Sequence, residues 1–122
     1  MKILYGLCAA AFLIGSPAVA QNIPQAASAQ GGTLRWLDKV TGATDDVSLS
    51  RGQSVTFGFL TIQMDDCRYP AEDPSSDAYA HLTIQDTRTS TPVFSGWMIA
   101  SSPALNALEH PRYDVWVLQC GP

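Results

Sequence analysis

Two histidines, seven basic residues and three cysteines in 122 positions leave this chain short of the side chains on which catalysis, metal binding and nucleic-acid recognition most often depend. Each shortage excludes something. After Lys2 the basic residues stand singly, at Arg35, Lys39, Arg51, Arg68, Arg88 and Arg112, so there is no electropositive stripe for nucleic acid or anionic lipid. His81 and His110 belong to no close-spaced ligand pair, which removes the usual zinc signatures. The dithiol redox motif C-x-x-C is missing, as are the G-x-S-x-G nucleophile elbow, a Gly-rich phosphate loop and any internal repeat. Asp65, Asp66, Glu72, Asp73 and Asp77 read as an acidic loop. It lacks the alternating ligands and central glycine of an EF-hand, so a solvated loop is the simpler reading and calcium is left undecided. Nothing in these patterns calls for a cofactor or a metal.

What is present begins with an apolar run, Ile3 to Ile14, behind Lys2 and ahead of Ser16-Pro17-Ala18-Val19-Ala20. That is the layout of a secretory signal peptide over 1–20, cut after Ala20. The run is shorter than the about 20 residues of a membrane span and no comparable run follows. The expectation is a periplasmic protein with no stable membrane insertion. Cys8 follows Leu7 inside the run, unlike a lipoprotein cysteine, and leaves with the leader. Six basic and eleven acidic residues then remain, a net charge of −5. So do Cys67 and Cys120, which in an oxidising compartment form a disulfide most simply, the alternative being two free buried thiols.

About a hundred residues suffice for one core and not for two. A Gln-, Ala-, Ser- and Gly-rich stretch over 21–32 reads as a flexible leader, with a single domain over 33–122. Apolar residues two apart predict strands at Thr33–Lys39, around Val47 and Leu49, and from Ala78 to Gln85. Between them, Val55, Phe57 and Phe59 share one parity and Leu60, Ile62 and Met64 the other, which predicts a bulge or bend near Gly58. Val93–Ile99 reads as a strand buried on both faces, and Tyr113–Cys120 as the last strand. Ser102 as a cap, Pro103 at a first helical position and Leu105 and Leu108 three apart predict one brief helix, stopped before Pro111. The fold class is all-β, a small sandwich or barrel of about six strands with one short helix near the C-terminus.

Leu37-Asp38-Lys39 with Thr41-Gly42, Phe57-Gly58-Phe59-Leu60-Thr61-Ile62 leading to Cys67, and above all FSGWMIASSPALNALEHPRYDVWVLQC from Phe94 to Cys120 carry a family resemblance. The chain resembles the domain-of-unknown-function 2155 family of small alphaproteobacterial envelope proteins across essentially all of 33–122. Ile99 stands where that pattern leads one to expect an aromatic residue. The resemblance implies a small, secreted, cysteine-paired protein and brings no activity with it.

The terminal run is also where candidate chemistry gathers. Glu109, His110 and Asp114 supply an acid, a base and an orienting carboxylate, but general acid–base work requires hydrogen-bond reach within a pocket. The structural alternative is that Glu109 and His110 pin the exit of the turn while Asp114 satisfies backbone amides. Aromatic residues with polar tips make good contact anchors, although the apolar neighbours of Trp97 and Trp116 argue that these rings fill the core. The reading that follows favours a non-enzyme: a binding module for an envelope protein or glycan, contacting it through Trp97, Glu109, His110, Pro111, Tyr113, Asp114 and Trp116. The rival is a small envelope hydrolase using His110 with Glu109 or Asp114.

Overall fold

A computed structural model describes residues 25–121. The expected signal peptide over 1–20, Cys8 within it, and positions 21–24 of the expected leader lie outside the described residues. Eight strands run in chain order: β1 Ala26–Ser28, β2 Gly31–Asp38, β3 Thr44–Ser50, β4 Ser54–Phe57, β5 Leu60–Pro70, β6 Tyr79–Asp86, β7 Pro92–Ile99 and β8 Tyr113–Gly121. They form two open, wholly antiparallel sheets. In the five-stranded sheet β5 pairs with β6 and β6 with β7, while β1 and β4 both pair with β5; the three-stranded sheet has the order β3-β2-β8. Because neither sheet closes, the barrel alternative is corrected to two sheets packed face to face.

Alternation builds the core. Leu60, Ile62 and Met64 of β5, Ala80, Leu82 and Ile84 of β6, and Met98 of β7 face Leu34 of β2, Leu49 of β3, and Tyr113, Val115 and Val117 of β8. A sheet with one buried face must show this period of two, since successive side chains leave opposite sides of the strand. Cys67 of β5 and Cys120 of β8 are joined in a disulfide that ties one sheet to the other. Gly32 lies beneath it, and a Cβ there would stand 2.7 Å from Cys67 Sγ and 2.8 Å from the Gln119 carbonyl oxygen, so only glycine fits.

Four further expectations are corrected. Residues 26–32 are not a flexible leader: Ala26–Ser28 pairs with β5, and Gly31 and Gly32 are buried at the start of β2, because small side chains let the chain lie close to its neighbours. The parity change near Gly58 is a tight turn and not a bulge within one strand. Gly58 has φ 57° in the two-residue connection from β4 to β5, and Tyr113 Oη fills the space its Cβ would need. Within β5 the bulge lies between Met64 and Asp66, where the pairing with β6 slips by one residue. The acidic loop begins later than expected, since β5 carries Asp65 and Asp66 on to Pro70. Finally, β7 is an edge strand with Ser95 and Trp97 exposed.

No helix forms among the described residues. Leu105 is 74% exposed and Leu108 only 6%, so they share no face. The segment between β7 and β8 is instead held by its surroundings. Asn106 Nδ2 donates to the Trp97 carbonyl at 2.8 Å, Ser101 donates to Asp77 through its amide and its hydroxyl, and Lys39 Nζ donates to the His110 carbonyl at 2.7 Å. With prolines at 103 and 111 bounding it, the stretch is too short to offset the cost of helix nucleation, and these tertiary bonds shape it instead.

Candidate functional site

The Phe94 to Cys120 run, contiguous in sequence, is distributed to three places. Trp97 lies on the outer face of the five-stranded sheet, since its neighbour Met98 points into the core. Trp116 lies on the outer face of the three-stranded sheet, between the inward Val115 and Val117. The two tryptophans are therefore on opposite sides of the protein, and neither fills the core. His110 and Tyr113 are buried at one end of the sandwich, while Glu109 and Pro111 are exposed in the segment leading to β8. Asp114 accepts from its own neighbour, Val115 N, at 3.1 Å. Trp116 and Asp114 border a shallow groove of about 380 Å³ with Pro103, Ala104 and Ala107. The seven candidate residues do not form one site.

The partner of His110 is neither Glu109 nor Asp114 but Asp86, at the end of β6. His110 Nε2 lies 3.0 Å from Asp86 Oδ2. On the other side of the ring, Nδ1 accepts from the backbone amides of Arg112 at 3.0 Å and Tyr113 at 3.2 Å. Two amide donors facing Nδ1 require it to be unprotonated, so the proton is on Nε2 and is donated to the carboxylate. Both nitrogens are thus engaged, the side chain is 5% exposed, and no lone pair is left to abstract a proton from a substrate. Asp86 also receives Arg88 Nη2 at 2.7 Å, Arg88 Nε at 3.0 Å and the Arg88 amide at 2.9 Å.

A second buried carboxylate sits beside this one. Asp38, at the end of β2, takes Arg112 Nη2 at 2.9 Å and Nε at 3.2 Å, together with the amides of Val40 and Thr41. Arg88 and Arg112 both lie over the ring of Phe59, with guanidinium carbons 4.2 and 5.8 Å from its centroid. This end of the protein is a latch, in which two acids are each clamped by an arginine and His110 ties the start of β8 to the end of β6. Its sequence signal was parity. Asp86 continues the inward series Ala80, Leu82, Ile84, and Asp38 continues Leu34, Trp36, so both acids fall on the buried face, where a charge must be paired.

The latch titrates in acid. Hydrogen bonds from Arg112, aided by the Val40 and Thr41 amides and opposed by burial, hold the Asp38 carboxyl down to about 2. Bonds from Arg88, His110 and the Arg88 amide depress Asp86 further below the ordinary carboxylate range. A carboxylate depressed on folding contributes stability that is full above its unfolded value of about 4 and is lost as the pH falls through its folded value. Stability should therefore decline between about pH 4 and pH 2. In Asp38→Asn the loss over this interval should be smaller, from a lower starting point at pH 6. Guanidinium unfolding at pH 6, 4, 3 and 2 checks this, and parallel curves for the two proteins would exclude Asp38 as a source of the acid sensitivity.

The outer face of the five-stranded sheet carries a different constellation, which sequence reading missed apart from Trp97. The bulge puts two successive carboxylates, Asp65 and Asp66, on one face, which a regular strand cannot do. Asp65 Oδ2 accepts from His81 Nδ1 at 2.8 Å and from Thr83 Oγ1 at 2.7 Å. Asp66 Oδ2 accepts from Arg68 Nε at 2.9 Å. Trp97, 38% exposed, lies across these residues. Its ring meets His81 edge-on at 5.1 Å, and the Arg68 guanidinium carbon is 5.4 Å from its centroid. The available signal was the three-residue step between inward Met64 and inward Cys67, where an unbroken strand would step by two. Among the described residues no group of three or more His, Cys, Asp or Glu side chains is placed to hold a metal ion.

Comparison with known proteins yields relatives and no activity. A family model described as "Uncharacterized protein conserved in bacteria" matches residues 32–120. An uncharacterized protein of Rickettsia prowazekii is 29% identical over 92 residues, covering 73% of this chain and 59% of the relative. The chain thus spans about three-fifths of the length of that curated relative. No solved structure matches.

Proposed function

For a chain that belongs to the domain-of-unknown-function 2155 family, described without an activity, we propose the role of a periplasmic binding module that contacts another component of the cell envelope through the outer sheet face around Trp97. One observation carries this reading: a large aromatic ring is left 38% exposed, yet is held in place by Arg68 and His81, which are themselves oriented by Asp66 and Asp65. A surface ion pair such as Arg68–Asp66 contributes little to stability, typically about 0–1 kcal/mol, so its order has little structural purpose. A pre-set aromatic anchor ringed by polar groups is what recognition requires, because less side-chain freedom remains to be lost on binding. The apolar run and small-residue exit at the chain's start support the compartment.

The hydrolase reading is set aside. It needs His110 as a base, and both nitrogens of that ring are occupied within a packed end of the protein. The groove beside Trp116 has an aromatic and an acid but no comparable network fixing them.

Photo-crosslinking in intact cells tests the proposal. A photoreactive residue at Ser95 or Tyr79, flanking Trp97 on the same face, should give a discrete adduct that is lost when Trp97 is also changed to Ala. Probes at Glu109 and Trp116 should give none that depends on Trp97. Adducts confined to the Glu109 or Trp116 probes would overturn the assignment of the face.

A further inference from the structure

The composition of this outer face narrows the class of ligand. The Trp97 ring meets one imidazole and one guanidinium, each held by a carboxylate, His81 by Asp65 and Arg68 by Asp66. Charges of both signs alternate over a few ångströms. An anionic ligand would meet Asp65 and Asp66, and a cationic one would meet Arg68. A flat apolar protein surface would strip water from all of these groups and return no hydrogen bonds, a cost that grows with each polar group left unpaired. An uncharged ligand with hydroxyls avoids all three penalties, because each hydroxyl both donates and accepts.

Resting on the binding-module reading above, we propose that Trp97, His81 and Arg68, the last two oriented by Asp65 and Asp66, form a subsite for one pyranose ring of an uncharged envelope glycan. A pyranose has an apolar face of C–H groups and a rim of hydroxyls. The apolar face suits the exposed indole, while the rim reaches the side chains around it. Asp65 holds the His81 proton on Nδ1, which leaves Nε2 to accept from a sugar hydroxyl. Asp66 uses Arg68 Nε, leaving the terminal guanidinium nitrogens to donate to a hydroxyl or ring oxygen. The second Asp66 oxygen accepts from the backbone amide of Cys67 at 2.9 Å, so the carboxylate is anchored at both ends and Arg68 is aimed by a fixed group. The bulge is the device that creates the subsite, since it puts the acid that orients His81 and the acid that orients Arg68 side by side.

Isothermal titration of the mature protein with chitotetraose, cellotetraose and maltotetraose tests this. Saturable binding of at least one tetrasaccharide is expected, weakened at least tenfold by Trp97→Ala and less by Trp97→Phe. Trp97 is half-exposed on an edge strand, so the variants should keep the wild-type unfolding midpoint. Should Trp97→Ala nevertheless unfold, Arg68→Met and Asp65→Asn supply the same test by removing the guanidinium or releasing His81. Failure of all three sugars to bind the wild type, or binding unaffected by these variants, overturns the carbohydrate assignment. Its failure is separable from that of the module reading: Trp97-dependent crosslinks to a protein, with no sugar bound, would leave the module standing and the glycan excluded. The absence of both would remove both.

Discussion

Breaking the Cys67–Cys120 bridge is expected to lower the unfolding free energy by up to about 4 kcal/mol, the figure the chain-entropy model assigns to a closed loop of this length. The two cysteines are 53 residues apart in sequence and join β5 of one sheet to β8 of the other. The unfolded chain therefore loses the freedom to separate its two halves, while the native sheets are already held at that spacing by the shared core. Cys67 is fully buried with Gly32 against its Sγ, while Cys120 is only partly buried. Removing the bond leaves that packing nearly intact, so the effect falls mainly on the unfolded state. Small domains have only about 5–15 kcal/mol of net stability, and a loss of this size separates a robust protein from a marginal one. Guanidinium unfolding with and without reductant, and of the Cys67→Ala/Cys120→Ala double variant, measures it. The oxidised protein should show no alkylatable thiol at Cys67 or Cys120. A shift below about 1 kcal/mol would mean that the unfolded chain is already constrained by other means.

The second large effect is at His110. Changing it to Ala removes the buried bond to Asp86 and leaves the amides of Arg112 and Tyr113 facing a space with no acceptor. Each unsatisfied buried donor costs about 1–3 kcal/mol and a bond to a charged partner about 1.5–3. Water entering the new space offsets part of this, and a net loss of about 3 kcal/mol is expected. Asparagine makes a finer probe. Its side-chain oxygen can stand close to the position of Nδ1 and accept from the two amides, while the reach to Asp86 is lost. His110→Asn should therefore recover roughly half of the stability lost in the alanine variant. Denaturant unfolding reads both. Neither change should affect binding at Trp97, which is on the outer sheet face. Equal losses for the two variants would show that the backbone amides contribute nothing, and an unchanged midpoint for His110→Ala would dismiss the latch.

Together these effects describe a sandwich held at several points by different means. The disulfide joins β5 to β8 near the C-terminal end of β8. The Asp86–His110 pair and the Asp38–Arg112 clamp act at its N-terminal end. Between them lies the apolar core. Acid weakens the second of these devices and reductant the first, so the two treatments should act independently, as expected for sites with no shared partner.

Legibility in the sequence followed the range of the interaction. Alternation within β2, β3 and β6 was readable because the period of two is a property of each strand alone. The pairing of Cys67 with Cys120, now seen as a disulfide, was expected on the reading that Cys8 belongs to a signal peptide and that two cysteines remain for each other. The family resemblance was carried by the run from Phe94 to Cys120. The brief helix was misread because Ser102, Pro103, Leu105 and Leu108 have helical spacing, while Asn106 is held by β7 and Ser101 and the His110 carbonyl are held by residues far along the chain. The turn at Gly58 was misread because a change of parity marks a tight turn and a bulge equally well.

What the sequence by itself determined was an all-β chain with two paired cysteines and the faces its alternating residues would bury, since these rest on local periodicity and composition. The tertiary structure alone decided that Trp97 and Trp116 face away from each other, that His110 pairs with Asp86, and that Asp65 and Asp66 share a face beside Trp97. The reason is register. Which residues meet across strands depends on one-residue shifts such as the bulge at Asp65, and the balance of packing over two whole sheets selects those shifts.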